Sequence, residues 1–225
     1  MNIFEPQFTI TLGSLVLPSY LIMQWFVMLV IIILAGVVTT KLEMRPGKLQ
    51  AVAEMFYESV EKLVTGNIGK DGAVFIPFIG TLMIYILLLN YVGLLGIAPP
   101  TKDLSITAGF AIVIVLVVHG NAIRKNGILG YLKGYASHGV AMVPLNLMER
   151  VIFPVSLALR LFGNMLAASI VLELAYHFLS HITWAAQIGL PIIAHGFFDV
   201  FDGTIQMIVF VMLTVINIKI TAQAH

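Results

Sequence analysis

The sequence predicts an all-α integral membrane protein, a single domain with about five membrane-crossing helices. Of its 225 residues, 60% are hydrophobic and only 10% are charged, whereas a soluble domain carries about 25% charged residues. The mean hydropathy is +1.01. The apolar residues also form continuous runs of about 20, which is the length that a helix needs to cross a bilayer.

The composition also excludes several kinds of site. The chain contains no cysteine, which rules out disulfides, thiolate metal sites and cysteine nucleophiles. Its net charge of +1 does not indicate nucleic-acid binding. The first 20 residues lack a basic region and contain Glu5 and two prolines, so we expect no cleavable signal peptide. We expect no cofactor and no metal, since the His and Asp residues lack the spacing of a closed ligand set.

The predicted spans differ in length. The simple ones cover residues 20–40, 74–98 and 104–123. Segments 144–178 and 183–221 are longer, and a helix of 35 residues would measure about 52 Å. Each must therefore tilt, break at a proline (Pro154 or Pro191), or run partly along the interface. We expect two long, strongly tilted helices that form a hairpin.

Residues 47–66, between the first two spans, predict an amphipathic helix. Its apolar residues recur at intervals of three and four: they are Val52, Met55, Phe56, Val60, Leu63 and Val64. The other face carries Glu54, Glu58, Glu61 and Lys62. Because it is too polar to span, we expect it to lie on the membrane surface. A soluble loop helix is the alternative.

The basic residues predict the orientation. The first 40 residues contain no Lys or Arg, and Lys102 alone lies between the second and third spans. The segments after the first and third spans, 41–73 and 124–143, hold eight: Lys41, Arg45, Lys48, Lys62, Lys70, Arg124, Lys125 and Lys133. The positive-inside rule then places the N-terminus outside and the C-terminus in the cytoplasm.

Arg160 lies inside the fourth apolar segment and stays charged at physiological pH. A charge at the bilayer centre costs at least about 2.5 kcal/mol, which makes it a candidate functional residue. At about 100° per residue, one stripe with Arg160 contains Ser156, Asn164, Ala167 and Val171, flanked by Gly163 and Ala168. Small residues allow another helix to approach closely, so this face predicts a partner surface. Alternatively, Arg160 is an anchor paired with Glu173 or Asp199.

Two further sets of polar residues predict an ion path. Ser169, Glu173 and Tyr176 lie on the face opposite Arg160. In the last segment, one stripe holds His195, Asp199, Asp202 and Gln206 at i, i+4, i+7 and i+11, and continues to Asn217. Such groups indicate a hydrated passage for protons or small cations. The alternatives are that the two aspartates are solvated at the outer interface, that His195 only packs, and that Glu149 only marks the cytoplasmic end of its helix.

The motif "SLALRLFGNM" at 156–165 resembles the signature of subunit a of F-type ATP synthases, the membrane stator that faces the rotating c-ring. The resemblance covers nearly the whole chain. Residues 75–107 resemble the family's second and third spans with their proline-rich outer loop, 142–154 the lead into the arginine helix, and 205–218 the final helix.

The resemblance implies roles for individual residues. Arg160 matches the essential stator arginine, with Ser156, Asn164 and a last-helix glutamine, Gln206, near it. Asp103 matches an acid at the mouth of the outer half-channel. Ser169 stands where many bacterial members carry a glutamate, and Asp199 where they often carry a histidine. The resemblance therefore implies that the acid has moved to the other helix, with Asp199 as its replacement; Glu173, on the same helix as Ser169, is the alternative.

The implied function is ion translocation through two offset half-channels, with Arg160 forcing ion release from c-ring carboxylates. The outer half-channel would contain His195, Asp199, Asp202 and Gln206, with Ser169, Glu173 and Asp103 near it, and the cytoplasmic one would open near Ser156 and Glu149. ATP would bind elsewhere in the complex. The implied partners are the c-ring, the peripheral-stalk subunit b, the rest of the complex and the lipid bilayer of a bacterial inner membrane. A stand-alone channel or transporter, a membrane enzyme and a structural scaffold remain alternatives.

Overall fold

A computed structural model of the chain describes residues 9–12, 15–40, 42–43, 47–134, 143–180 and 194–223. Within these ranges there are six α-helices: α1 (Ser19–Thr39), α2 (Lys48–Ile68), α3 (Ile76–Tyr91), α4 (Leu104–Gly134), α5 (Val143–Ser180) and α6 (Gly203–Gln223). Five helical segments, all except α2, are long and apolar enough to cross a membrane. The predicted class, an all-α integral membrane protein, is confirmed.

Shorter elements join or extend these helices. Turns of 3₁₀ helix, Lys70–Phe75 and Val92–Leu95, precede and follow α3, and a third, Pro100–Lys102, precedes α4. A π-helical segment, Gly196–Asp202, leads into α6. An antiparallel hairpin, β1 (Thr9–Leu12) and β2 (Leu15–Pro18), precedes α1. The sequence analysis missed this hairpin, although residues with high β propensity flank a Gly-Ser pair there.

The third span extends beyond its predicted end at 123. Helix α4 continues to Gly134, with a kink at Gly127, whose φ of 70° and ψ of 165° are not helical. A positive φ is readily adopted only by glycine. Arg124 and Lys125 therefore lie within helix α4, and not in a loop as the predicted boundary implied.

The apolar face of α2 is only partly covered by protein. Val60 and Val64 are buried in the main core, against α3 and α6. Val52 and Met55, nearer the start of the helix, are 65% and 68% exposed. This open apolar surface favours a helix on the membrane surface over a soluble loop helix.

Helices α5 and α6 both pack on α4 and contact each other little. The shared core contains Ile114 of α4, Leu157 and Leu161 of α5, and Phe210 and Val211 of α6. Helix α5 continues through Pro154, so a break there is excluded. Residues 181–193, which include Pro191 and the start of the predicted last span, lie outside the described residues, and the hairpin and its tilt stay predictions.

Because Val64 is fully buried and Val52 is exposed, the same substitution should affect them differently. Val64→Ala should destabilise the fold by about 2 kcal/mol through lost burial and a residual cavity. Val52→Ala should change stability by less than about 0.5 kcal/mol. The thermal unfolding midpoint in detergent measures both, and equal shifts would contradict the packing of α2 described above.

Candidate functional site

Arg160 lies on the face of α5 that no other described element covers. The opposite face of α5 is buried, mainly against α4, and contains Leu157, Leu161, Met165, Ala168 and Leu172. The Arg160 side chain is exposed and forms no hydrogen bond or ion pair with the residues that the structure describes. The anchor interpretation is therefore disfavoured, since neither Glu173 nor Asp199 pairs with the guanidinium.

The exposed surface around Arg160 carries mostly small side chains. Ser156, Ala167 and Val171 are exposed, and Asn164 is half-buried. A Cβ atom added at Gly163 would meet nothing within 4 Å. Ala168, by contrast, faces inward and is 3% exposed. The exposed part of the stripe thus offers a cation and small side chains to whatever lies beside α5.

A buried polar cluster joins α3, the 3₁₀ turn Pro100–Lys102 and the start of α6. The Asn90 side-chain amide donates a hydrogen bond to the backbone carbonyl of Gly203 at 3.1 Å, and its carbonyl oxygen accepts one from the Thr101 hydroxyl at 3.2 Å. The hydroxyls of Tyr91 and Thr204 are 2.8 Å apart. The sequence analysis missed these residues, although an asparagine inside the apolar run "LLLNY" was the available signal.

A histidine–aspartate pair lies beside this cluster. His195 Nδ1 is 2.7 Å from Asp199 Oδ2, and Asp199 is 3% exposed. The carboxyl group packs on the backbone of Gly93, where a Cβ atom would lie 2.7 Å from both carboxylate oxygens. Only glycine at position 93 leaves room for Asp199 in this position. A buried acid bonded to an imidazole can hold and exchange a proton.

The other polar residues of the last segment do not follow the regular stripe. The π-helical turn at Gly196–Asp202 winds differently from an α-helix, so the predicted angular spacing fails there. Asp202 is half-buried and Gln206 is 4% exposed. Neither forms a hydrogen bond with a described residue. Single π turns occur frequently at functional sites.

Charged residues lie at and near the 3₁₀ turn Pro100–Lys102. Burial lowers the pKa of Lys102, and the negative charge of Glu173 acts in the opposite direction and raises it. Asp103 Oδ1 accepts a hydrogen bond from the Ser105 backbone N–H at 2.7 Å, and the carboxylate therefore caps α4. The described residues include no group of three His, Asp or Glu side chains that could hold a metal ion.

The remaining predicted residues lie apart from these groups. The Ser169 hydroxyl donates to the Met165 carbonyl at 2.8 Å, within α5. Glu149 is exposed near the start of α5. The structure thus places His195 in contact with Asp199. It places Glu173 within electrostatic range of Lys102, and it leaves Arg160 exposed on α5.

Comparison with known proteins identifies the family. The profile of the family described as "ATP synthase A chain" matches residues 21–219. The chain belongs to this family. The proposed resemblance is confirmed, and the chain is a multi-pass membrane subunit of an enzyme complex, in place of a stand-alone transporter or a self-contained membrane enzyme.

Individual relatives are similar over most of their length. ATP synthase subunit a of Moorella thermoacetica is 36% identical over 217 residues, which cover 95% of each chain. That of Desulforamulus reducens is 32% identical over 91% of this chain and 79% of its own. "ATP synthase subunit a, sodium ion specific" of Propionigenium modestum is 32% identical over 88% of this chain and 72% of its own.

Gly93→Ala should destabilise the chain by about 1–3 kcal/mol, because the added methyl group overlaps the Asp199 carboxyl. Gly109→Ala is the control, since a Cβ atom there meets nothing within 4 Å. The thermal unfolding midpoint of the purified complex reports both. In the Asp199→Ala background the penalty of Gly93→Ala should shrink, as residues in contact are not additive. An undiminished penalty would show that the carboxyl does not cause it.

Proposed function

We propose that Arg160 is the stator cation of the ATP synthase and that it forces bound ions off carboxylates of the c-ring. The observation that carries this proposal is an exposed guanidinium, unpaired within the described chain, on a smooth helical surface inside a membrane-crossing segment. Such a charge needs an anionic partner, and a carboxylate on an adjacent rotor supplies one.

The electrostatics suit a reversible interaction. A rotor carboxyl group that carries its ion is neutral and tolerates lipid, whereas the bare carboxylate does not. A nearby guanidinium favours the ionised carboxylate and so expels the ion. At an effective dielectric constant of 20, opposite charges 4 Å apart attract by about 4 kcal/mol. This exceeds thermal energy and still permits rotation to separate the pair. The fixed cation also blocks direct ion leakage between the half-channels.

The outer half-channel in this proposal runs past the His195–Asp199 pair, with Asp202 and Gln206 along it and Glu173, Ser169 and Asp103 near its mouth. Two observations favour Asp199 over Glu173 as the substitute for the acid absent at Ser169. Asp199 is almost completely buried and bonded to an imidazole, whereas Glu173 lies within electrostatic range of Lys102. The Ser169 hydroxyl and the Asp103 carboxylate already serve their own helices, so both have minor parts.

The cytoplasmic half-channel would open along α5 on the other side of Arg160. Ser156 is exposed one turn from the arginine, and Glu149 is exposed two turns further on. The c-ring would cover this face of α5, and subunit b would attach elsewhere on the chain. With the N-terminus outside, the basic segments lie in the cytoplasm of a bacterial cell, on the inner side of its plasma membrane.

Arg160→Ala should abolish ATP-driven ion pumping in vesicles that contain the whole complex, because no cation then expels the ion. Arg160→Lys should lower pumping by at least about tenfold, since lysine lacks the guanidinium's planar fork and loses its proton more readily in a dry site. Leu159→Ala, on the same exposed surface, is the control and should pump normally. Normal pumping by assembled Arg160→Ala complexes would reject the role.

The orientation has a direct test because the chain has no native cysteine. Ser59→Cys on α2 and Ser105→Cys at the start of α4 are matched, near-isosteric changes at exposed positions. A membrane-impermeant thiol reagent should label Cys at 59 only from the cytoplasmic side and Cys at 105 only from outside. The reverse pattern would invert the proposed topology.

A further inference from the structure

A cavity of about 510 Å³ lies between the 3₁₀ turn before α3 and the second half of α4. It is at the opposite end of these helices from the His195–Asp199 pair, and the mechanism proposed above does not use it. Its lining combines apolar side chains at one end with basic side chains at the other. Ligand sites are typically cavities of this size with a mainly apolar lining and a few polar groups, and a lining divided in this way suits an amphiphilic ligand.

The apolar end faces the region that lipid occupies. Val74 and Leu116, both in the cavity lining, are 72% and 67% exposed. Both belong to segments apolar enough to cross the membrane. A Cβ atom at Gly120 would meet nothing within 4 Å, so the absence of a side chain there keeps the surface between them open.

The polar end carries a cation that the described chain does not neutralise. Arg124 is exposed and forms no hydrogen bond or ion pair with a described residue. Next to it, Lys125 Nζ is 3.4 Å from Asp71 Oδ2, and these side chains are 40% and 80% exposed. An ion pair this exposed contributes little to stability. Lys125 can therefore turn to another anion.

The depth of the cavity matches one leaflet. Leu116 and Lys125 are nine residues apart, which is about 13 Å along a helix, and half the hydrocarbon core is about 15 Å. The basic side chains then lie at the interface while the apolar residues lie within the hydrocarbon.

We propose that this cavity binds an anionic phospholipid. Its phosphate would lie between Arg124 and Lys125, with the Asn121 amide as a further donor, and one acyl chain would lie along Val74 and Leu116. Basic pockets between membrane helices are suited to anionic head groups. A free phosphate ion would leave the apolar end unused. A zwitterionic lipid such as phosphatidylcholine brings its own positive charge beside its phosphate, so it would gain less from the uncompensated cation than a lipid with a net negative charge.

The test uses the whole ATP synthase complex in phosphatidylcholine vesicles that contain a trace of diazirine-labelled phosphatidylglycerol or diazirine-labelled phosphatidylcholine. Mass spectrometry then counts crosslinks on residues 71–75 and 116–125. The anionic probe should crosslink preferentially. Arg124→Gln should lower that preference about fivefold and the Arg124→Gln, Lys125→Gln pair further, because each interfacial cation contributes about this factor. Lys62→Gln, an exposed lysine outside the cavity, should leave it unchanged.

Asp71→Asn separates a lipid site from a merely structural ion pair. Removing the carboxylate frees Lys125, so the preference for phosphatidylglycerol should rise, whereas a structural pair would make it unchanged or lower. If the glutamine variants do not assemble, added salt must reduce the preference of the native complex. Three results would overturn the proposal: equal crosslinking by both probes, loss of the crosslinks when inorganic phosphate is added, and no crosslink of either probe to these residues.

Discussion

A permanent positive charge without a partner in its own chain constrains the use of this fold. Arg160 stays charged, is exposed, and forms no ion pair with any described residue. In a membrane-crossing helix such a group is stable only beside an anion or water outside the chain. In the function proposed above, a carboxylate on an adjacent rotor supplies this anion.

The packing around α4 keeps that charge on the surface. Helix α5 turns its large apolar residues, such as Leu157 and Leu161, into the common core and leaves the Arg160 stripe outside. Asp199, which lies against Gly93 just after α3, forms no ion pair with Arg160, and α5 and α6 have little contact with each other. If the two charges paired within the chain, they would neutralise each other, and Arg160 would need no partner outside the chain.

A hydrogen bond and close packing hold the polar groups at the end of α3 and before α6 in place. Asn90 ties the end of α3 to the start of α6, and Gly93 makes room for the Asp199 carboxyl. Each buried polar group that keeps its partner avoids a cost of about 1–3 kcal/mol. Asn90 and Gly93 therefore help to position the His195–Asp199 pair.

The class of protein, the five apolar segments, the amphipathic α2 and the family could all be predicted from the sequence. Each depends on composition, local periodicity or a contiguous motif such as 156–165. The sequence also placed Arg160 among small residues, since helical geometry relates positions within one helix. Only the tertiary structure showed that this stripe is uncovered, that Asp199 bonds to His195, and that Asp103 caps α4. These features depend on which helices pack together and on irregular backbone such as the π-helical turn before α6, which regular periodicity cannot reveal.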